Sequence, residues 1–142
     1  HYPLRRQRQM CIRDSLADLK QGRRMSMIFI THNLGIVARI ADRVAIMYGG
    51  EIVEIAGVND LFDNPSHPYT EALLSSIPRI DRTVQKLSFI PGQVPPIDRM
   101  PPGCKYTTRC PIKIDTCEQK DPDLIPLCNV PDHWVRCWIR GR

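Results

Sequence analysis

Apolar positions along the chain change their spacing three times, and each change predicts an element. Met27-Ile28-Phe29-Ile30-Thr31 is an unbroken apolar run, the pattern of a strand covered on both faces in a parallel sheet. It predicts a central strand. Directly behind it, Leu34, Val37, Ala38 and Ala41 recur at helical spacing and give one apolar helix face. Val44-Ala45-Ile46-Met47-Tyr48 reads as a further strand. Gly49-Gly50 then separates it from Glu51-Ile52-Val53-Glu54-Ile55, as the two-residue turn of an antiparallel hairpin would. Asn59 to Phe62 predicts a short helix capped by Asn59. Pro68 suits the first position of a helix running to about Ser76, with Ser66 or His67 as cap, Glu71 in its first turn and Pro78 as its stop.

Past this point the periodicity fades. Twelve of the 13 prolines lie between Pro65 and Pro131, and residues 4–64 contain none, so the chain divides near Pro78 into a regular α/β region and an irregular one. The second region is dense in turn formers, with Pro91-Gly92, Pro95-Pro96 and Pro101-Pro102-Gly103. A segment so poor in apolar runs cannot offset its ordering entropy by burial alone, so it should be stapled by other means. Five of the six cysteines lie here, at Cys104, Cys110, Cys117, Cys128 and Cys137.

None of them forms a C-x-x-C pair: five residues separate Cys104 from Cys110, six separate Cys110 from Cys117, and nineteen separate Cys117 from Cys137. Four thiolates could hold a tetrahedral zinc or a cubane iron–sulfur cluster, and either would supply folding energy in place of an apolar core. Disulfides, or thiols packed as small hydrophobes, are the other readings. Cys128 stands apart, and a buried thiol is one reading of it.

Composition narrows the function classes. No apolar run approaches the length of a membrane helix, and residues 1–24 lack the apolar core and cleavage site of a secretory signal. We therefore expect a reducing compartment. The net charge of +5 arises wholly within residues 1–26, where seven basic side chains face two acidic ones; the rest of the chain balances 13 against 13. No basic stripe remains to track phosphates, so no nucleic-acid partner is expected. The competing reading is a free-standing metal-stabilised interaction module, or a nucleic-acid binder using the basic arm.

Among the four histidines, His32 has the informative position, at the C-terminal end of the predicted strand and the start of a helix, where α/β sheets place ligand-contacting groups. The alternative is a histidine that caps the helix and is satisfied locally. His67 most simply serves the turn before Pro68, and His1 and His133 carry no pattern.

The stretch Ile30-Thr31-His32-Asn33-Leu34-Gly35-Ile36-Val37-Ala38, with Ala41-Asp42-Arg43-Val44-Ala45-Ile46-Met47-Tyr48-Gly49-Gly50-Glu51-Ile52-Val53-Glu54, closely resembles the switch-histidine region of an ABC-transporter ATPase. His67-Pro68-Tyr69-Thr70-Glu71-Ala72-Leu73-Leu74, Ile90-Pro91-Gly92, Pro101-Pro102-Gly103-Cys104 and Arg109-Cys110-Pro111 narrow the resemblance. They look like the C-terminal extension of dipeptide and oligopeptide importer ATP-binding subunits. The resemblance runs from about Arg24 to Trp138.

It implies the C-terminal part of a P-loop NTPase sheet ending in a hairpin, over residues 25–78, followed by a Pro- and Cys-rich extension over 79–142. It also implies a γ-phosphate-sensing role for His32, ATP and magnesium in the intact subunit, permease subunits and a second ATPase subunit as partners, and a peripheral place on the cytoplasmic face of the inner membrane. Cys104, Cys110, Cys117 and Cys137 match the four positions where the family is expected to hold a [4Fe–4S] cluster, with zinc as the alternative; Cys128 does not match. Asn33 stands where the family carries an acid.

The sequence departs from the family elsewhere. Its eight glycines never fall in the G-x-x-x-x-G-K-[ST] frame that cradles phosphates. The acids that hold magnesium and activate water, the signature segment and the glutamine loop are also missing. His1-Tyr2-Pro3 looks like the tripeptide before the signature, but Leu4 to Gln9 diverges, and Met10-Cys11-Ile12-Arg13-Asp14-Ser15 reads as an assembly scar. We expect residues 1–24 to be a truncated or chimeric segment and this chain to lack ATPase activity alone. The first region, without the strand its sheet should pair with, is expected to be unstable by itself.

Overall fold

The computed structural model describes residues 26–77, 90–128 and 130–141. The expectations for residues 1–24, including the scar at 10–15 and Cys11, lie outside the described residues, as does the helix stop at Pro78. The described residues fall into two compact units, one ending at Ile40 and the other beginning at Ala41.

In the first unit, helix α1 spans Leu34–Ile40 and none of its residues is buried. Asn33 caps it: its Oδ1 accepts from the Ile36 amide at 3.3 Å, and its own amide donates to Thr31 Oγ1 at 3.0 Å. The predicted central strand at Met27–Thr31 is not formed. Ile28 is 92% exposed and Ile30 93%. The reason is physical: a strand buried on both faces takes its hydrogen bonds and its cover from neighbours, and no strand among the described residues pairs with it. The P-loop-type parallel sheet expected from this run is accordingly absent among the described residues.

The second unit is built on a four-stranded antiparallel sheet of order β1-β2-β4-β3, so its fold is mixed α/β. Strands β1 (Arg43–Tyr48) and β2 (Glu51–Gly57) form the expected hairpin. Gly49 and Gly50 turn it with φ of 59° and 86°, left-handed values that side chains with a Cβ resist. Along β1 the alternation is strict, with Val44, Ile46 and Tyr48 buried and Met47 exposed. In β2 the register slips: Ile46 faces Glu54 but Met47 faces Ile52, so Val53 is the extra residue of a bulge. Val53 and Glu54 are consequently both buried.

Helix α2 (Val58–Asp63) follows at once and buries Leu61 completely. Its cap position is Gly57, not Asn59 as the sequence suggested, because β2 runs two residues further and carries the chain straight into the helix. Helix α3 (Pro68–Ser75) has the predicted design: Pro68 in its first turn, and His67 as N-cap with Nδ1 accepting from the Tyr69 amide at 3.0 Å.

The proline-rich tail contains a 3₁₀ turn at Ile97–Arg99, another at Thr107–Arg109, helix α4 (Asp115–Gln119), and the two-residue strands β3 (Ile125–Pro126) and β4 (Trp134–Val135). Glu54 and Ile55 of β2 pair with Val135 and Trp134 of β4, so the sheet runs across the sequence division at Pro78. Two arginines provide the stapling that apolar burial cannot. Arg109 donates to the Pro91 and Ile90 carbonyls at 2.8 and 3.0 Å, and Arg136 donates to those of Ile52 and Pro122, both at 2.9 Å. Tyr48, Tyr69 and Tyr106 close around one another with ring centroids 4.7 to 5.4 Å apart.

Candidate functional site

The cysteine site is assembled by the tail. Cys104 follows the Pro-Pro-Gly turn, Cys110 ends the Thr107–Arg109 turn, Cys117 lies on α4, and Cys137 follows β4 by two residues. The Cys104 amide donates to the Cys117 carbonyl at 2.9 Å, tying two of the segments together. Gly103 makes that approach possible, since a Cβ there would sit 2.4 Å from the same carbonyl oxygen. Cys117 and Cys137 are buried, while Cys104 and Cys110 are partly exposed.

Burial pushes the Cys104 thiol up to about 11, and the neighbouring Cys117, Cys110 and Cys137 add to that rise. Burial likewise raises Cys110, with Cys137, Cys117 and Glu71 contributing in the same direction. Cys104 and Cys110 thus each feel the other three thiols. Hydrogen bonds with the Tyr106 and Ile112 backbones oppose the rise at Cys104 and Cys110 respectively, as N–H donors stabilising a thiolate do.

Among the described residues, however, no three Cys, His, Asp or Glu side chains converge closely enough to hold a metal ion. The expected set of Cys104, Cys110, Cys117 and Cys137 thus shares a neighbourhood without closing on a single ion. Free thiols have no reason to close further, because with Zn–S bonds of about 2.3 Å a tetrahedral zinc brings its sulfurs within about 4 Å of each other. The donor chemistry suits a soft metal or a cluster, given four sulfurs, two with backbone support. Cys128, for which a buried thiol was one reading, is exposed in the loop between β3 and β4.

A second feature went unread in the sequence. Glu54 is fully buried, and its carboxylate gathers three segments. Oε1 accepts from the Ser66 amide at 2.7 Å, Oε2 accepts from the His67 amide at 2.9 Å, and His133 Nε2 lies 2.7 Å from Oε1. These amides open helix α3, so the carboxylate also meets the positive end of the helix dipole. His67 is 1% exposed, and desolvation lowers its pKa to about 4, against a smaller opposing effect of its hydrogen bond to the Arg136 backbone. With Nδ1 accepting from Tyr69, the neutral ring donates its other N–H to Arg136. The only sequence signal was an acid in a strand whose cross-strand partner, Ile46, is buried.

His32 stands in the first unit, on the residue before the Asn33 cap, and is exposed. The capping role offered as its alternative belongs to Asn33.

The family described as the C-terminal region of oligopeptide/dipeptide transporters matches residues 53–117. The chain is 48% identical to the oligopeptide transport ATP-binding protein AppD of Bacillus subtilis over 124 residues, covering 87% of this chain and 37% of that protein. It is 42% identical to the dipeptide transport ATP-binding protein DppD of the same organism, over 83% of this chain and 35% of the relative. The probable peptide ABC transporter ATP-binding protein y4tR of Sinorhizobium fredii is 44% identical over 87% of this chain and 36% of its own length. The chain spans little more than a third of these curated relatives. From the hairpin bulge into helix α4, with the His-Pro-Tyr helix and three of the four clustered cysteines inside the matched region, residues 53–117 are similar to the C-terminal region of oligopeptide/dipeptide transporters.

Proposed function

We propose that the chain is part of the ATP-binding subunit of an ABC importer for dipeptides or oligopeptides. In the intact subunit, ATP hydrolysis on the cytoplasmic face of the membrane would drive uptake through a pair of permease subunits, with a second ATPase subunit completing the nucleotide sites. The observation that carries this reading is the family match across residues 53–117, which includes the residues that build α3, the Arg109 staple and the cysteine site. No helix among the described residues is long and apolar enough to cross a membrane, which accords with a peripheral subunit.

Within this reading His32 contacts the γ-phosphate and the attacking water. A donor held against developing phosphoryl charge is worth about 10²–10³ in rate. Asn33 supplies no carboxylate at the following position, and its side chain instead caps the helix start behind the histidine. Cys104, Cys110, Cys117 and Cys137 would hold a [4Fe–4S] cluster that fixes the tail against the hairpin. Zinc held by the same four thiolates is the alternative.

The test is to substitute residues 26–142 for the matching part of the B. subtilis oligopeptide transport protein and measure peptide uptake in cells lacking the native subunit. Uptake that disappears with His32→Ala supports the reading. A hybrid that folds and joins the permease but gives no uptake would overturn it. Iron, acid-labile sulfide and zinc analysis of the anaerobically purified chain decides the metal: four irons and four sulfides favour the cluster, and one zinc favours the alternative.

A further inference from the structure

We propose that Cys104 and Cys117 form a reversible oxidation site: a small-molecule disulfide converts this pair of thiols into an internal disulfide that ties the Pro-Pro-Gly turn to helix α4. The inference goes beyond the importer reading and involves no metal, since it concerns the chain with its thiols free.

Backbone geometry carries it. The Cys104 amide donates to the Cys117 carbonyl at 2.9 Å. With the N–Cα bond on one side and the span from carbonyl oxygen to Cα on the other, the two Cα atoms stand no more than about 6.8 Å apart, and any bend along that path brings them closer. Disulfides take Cα separations of about 4.4–6.8 Å. Gly103 keeps the approach close, because a Cβ there would meet the Cys117 carbonyl oxygen at 2.4 Å. Each cysteine is also held by its own turn: the Thr107 amide donates to the Cys104 carbonyl at 3.0 Å, and the Cys117 amide donates to that of Ile114 at 2.9 Å. Among the described residues, no backbone hydrogen bond joins Cys110 or Cys137 to another cysteine. The side chains agree with the backbones, for of the neighbouring thiols that raise Cys104, Cys117 acts most strongly.

Exposure orders the chemistry. Cys104 is partly exposed and Cys117 is buried, so an entering disulfide meets Cys104 first. The Cys104 sulfur, having lost its proton to solvent, attacks one sulfur of the small disulfide and expels the other as a thiolate, which leaves a mixed disulfide. The Cys117 sulfur then loses its proton and attacks Cys104 Sγ, breaking the mixed bond and expelling the second small thiolate. Two protein thiols have given up two electrons and two protons, and one small disulfide has become two small thiols. In a reducing compartment the pair stays reduced, and it responds when the pool of small disulfides rises.

The test oxidises the full 142-residue chain with glutathione disulfide to equilibrium, with a chelator present, in a Cys11→Ser, Cys128→Ser background that removes the other two thiols. Bonds are mapped by mass spectrometry after non-reducing digestion in acid. Chain statistics favour short loops, so in urea the Cys104–Cys110 and Cys110–Cys117 bonds, across five and six intervening residues, should outnumber Cys104–Cys117, across twelve. Without urea, Cys104–Cys117 should exceed every other pairing by about tenfold or more. With Cys117→Ser added, Cys104 should stop at the mixed disulfide with glutathione. A native mixture like that in urea, a different dominant pair, or Cys104 left as the mixed disulfide while Cys117 is present would overturn the proposal.

Discussion

Glu54 has no exposed surface, and its three partners are what make a buried carboxyl group tolerable there. Replacing it with alanine leaves two helix-opening amides and a buried histidine without their acceptor, and opens a cavity. Leaving a buried polar partner unsatisfied costs about 1–3 kcal/mol, so Glu54→Ala should lower the urea midpoint of the second unit by at least that amount, or prevent its folding. His67 makes the matching pH statement. Its folded pKa of about 4 lies below the ordinary 6.5, so the unfolded chain binds the proton first. The stability its neutral ring contributes is fully present above pH 6.5 and is lost as pH falls through the folded value near 4, amounting to roughly 3 kcal/mol across the window. Unfolding followed between pH 7 and 4 should show that fall, and NMR titration of the His67 ring should place its midpoint well below 6.5. Among the cysteines, Cys128 is exposed while burial keeps the Cys104 thiol protonated far above neutrality, so alkylation of the metal-free chain at pH 7.5 should mark Cys128 before Cys104 by mass spectrometry.

At the scale of elements, the hairpin and α3 were legible because their signals are local. Gly49-Gly50 has one good use between two apolar runs, and His-Pro before an amphipathic stretch is a helix start by backbone chemistry alone. The bulge at Val53 was not legible, since a register slip is settled by what packs against each face. Gly103 is an element-scale contact of the same kind: its lack of a side chain lets the Pro-Pro-Gly turn lie against α4. Gly103→Ala forces the two backbones apart at the join between Cys104 and Cys117, and should cost about 2 kcal/mol in denaturant unfolding. The run Met27–Thr31 gives the opposite lesson. It has the composition of a buried strand but no neighbour among the described residues, so its amides should exchange at nearly unprotected rates. Strong protection there would mean that the segment finds cover in this chain.

At the scale of the whole molecule, the second unit is held by an unusual mixture. Its apolar core is small, and around it lie three tyrosines, two arginines bound to backbone carbonyls, a buried carboxylate and four grouped thiols. The sequence by itself determined which two glycines turn the hairpin and how α3 begins. Each of these depends on residues close in the chain. Only the tertiary structure decided that β4 joins β2 across eighty residues of sequence, that Glu54 and His133 meet, that Arg109 and Arg136 are the staples, and that Cys128 stays outside. The physical reason is that a buried polar group declares itself through its partners, and partners brought together by loop closure leave no periodic trace in the chain.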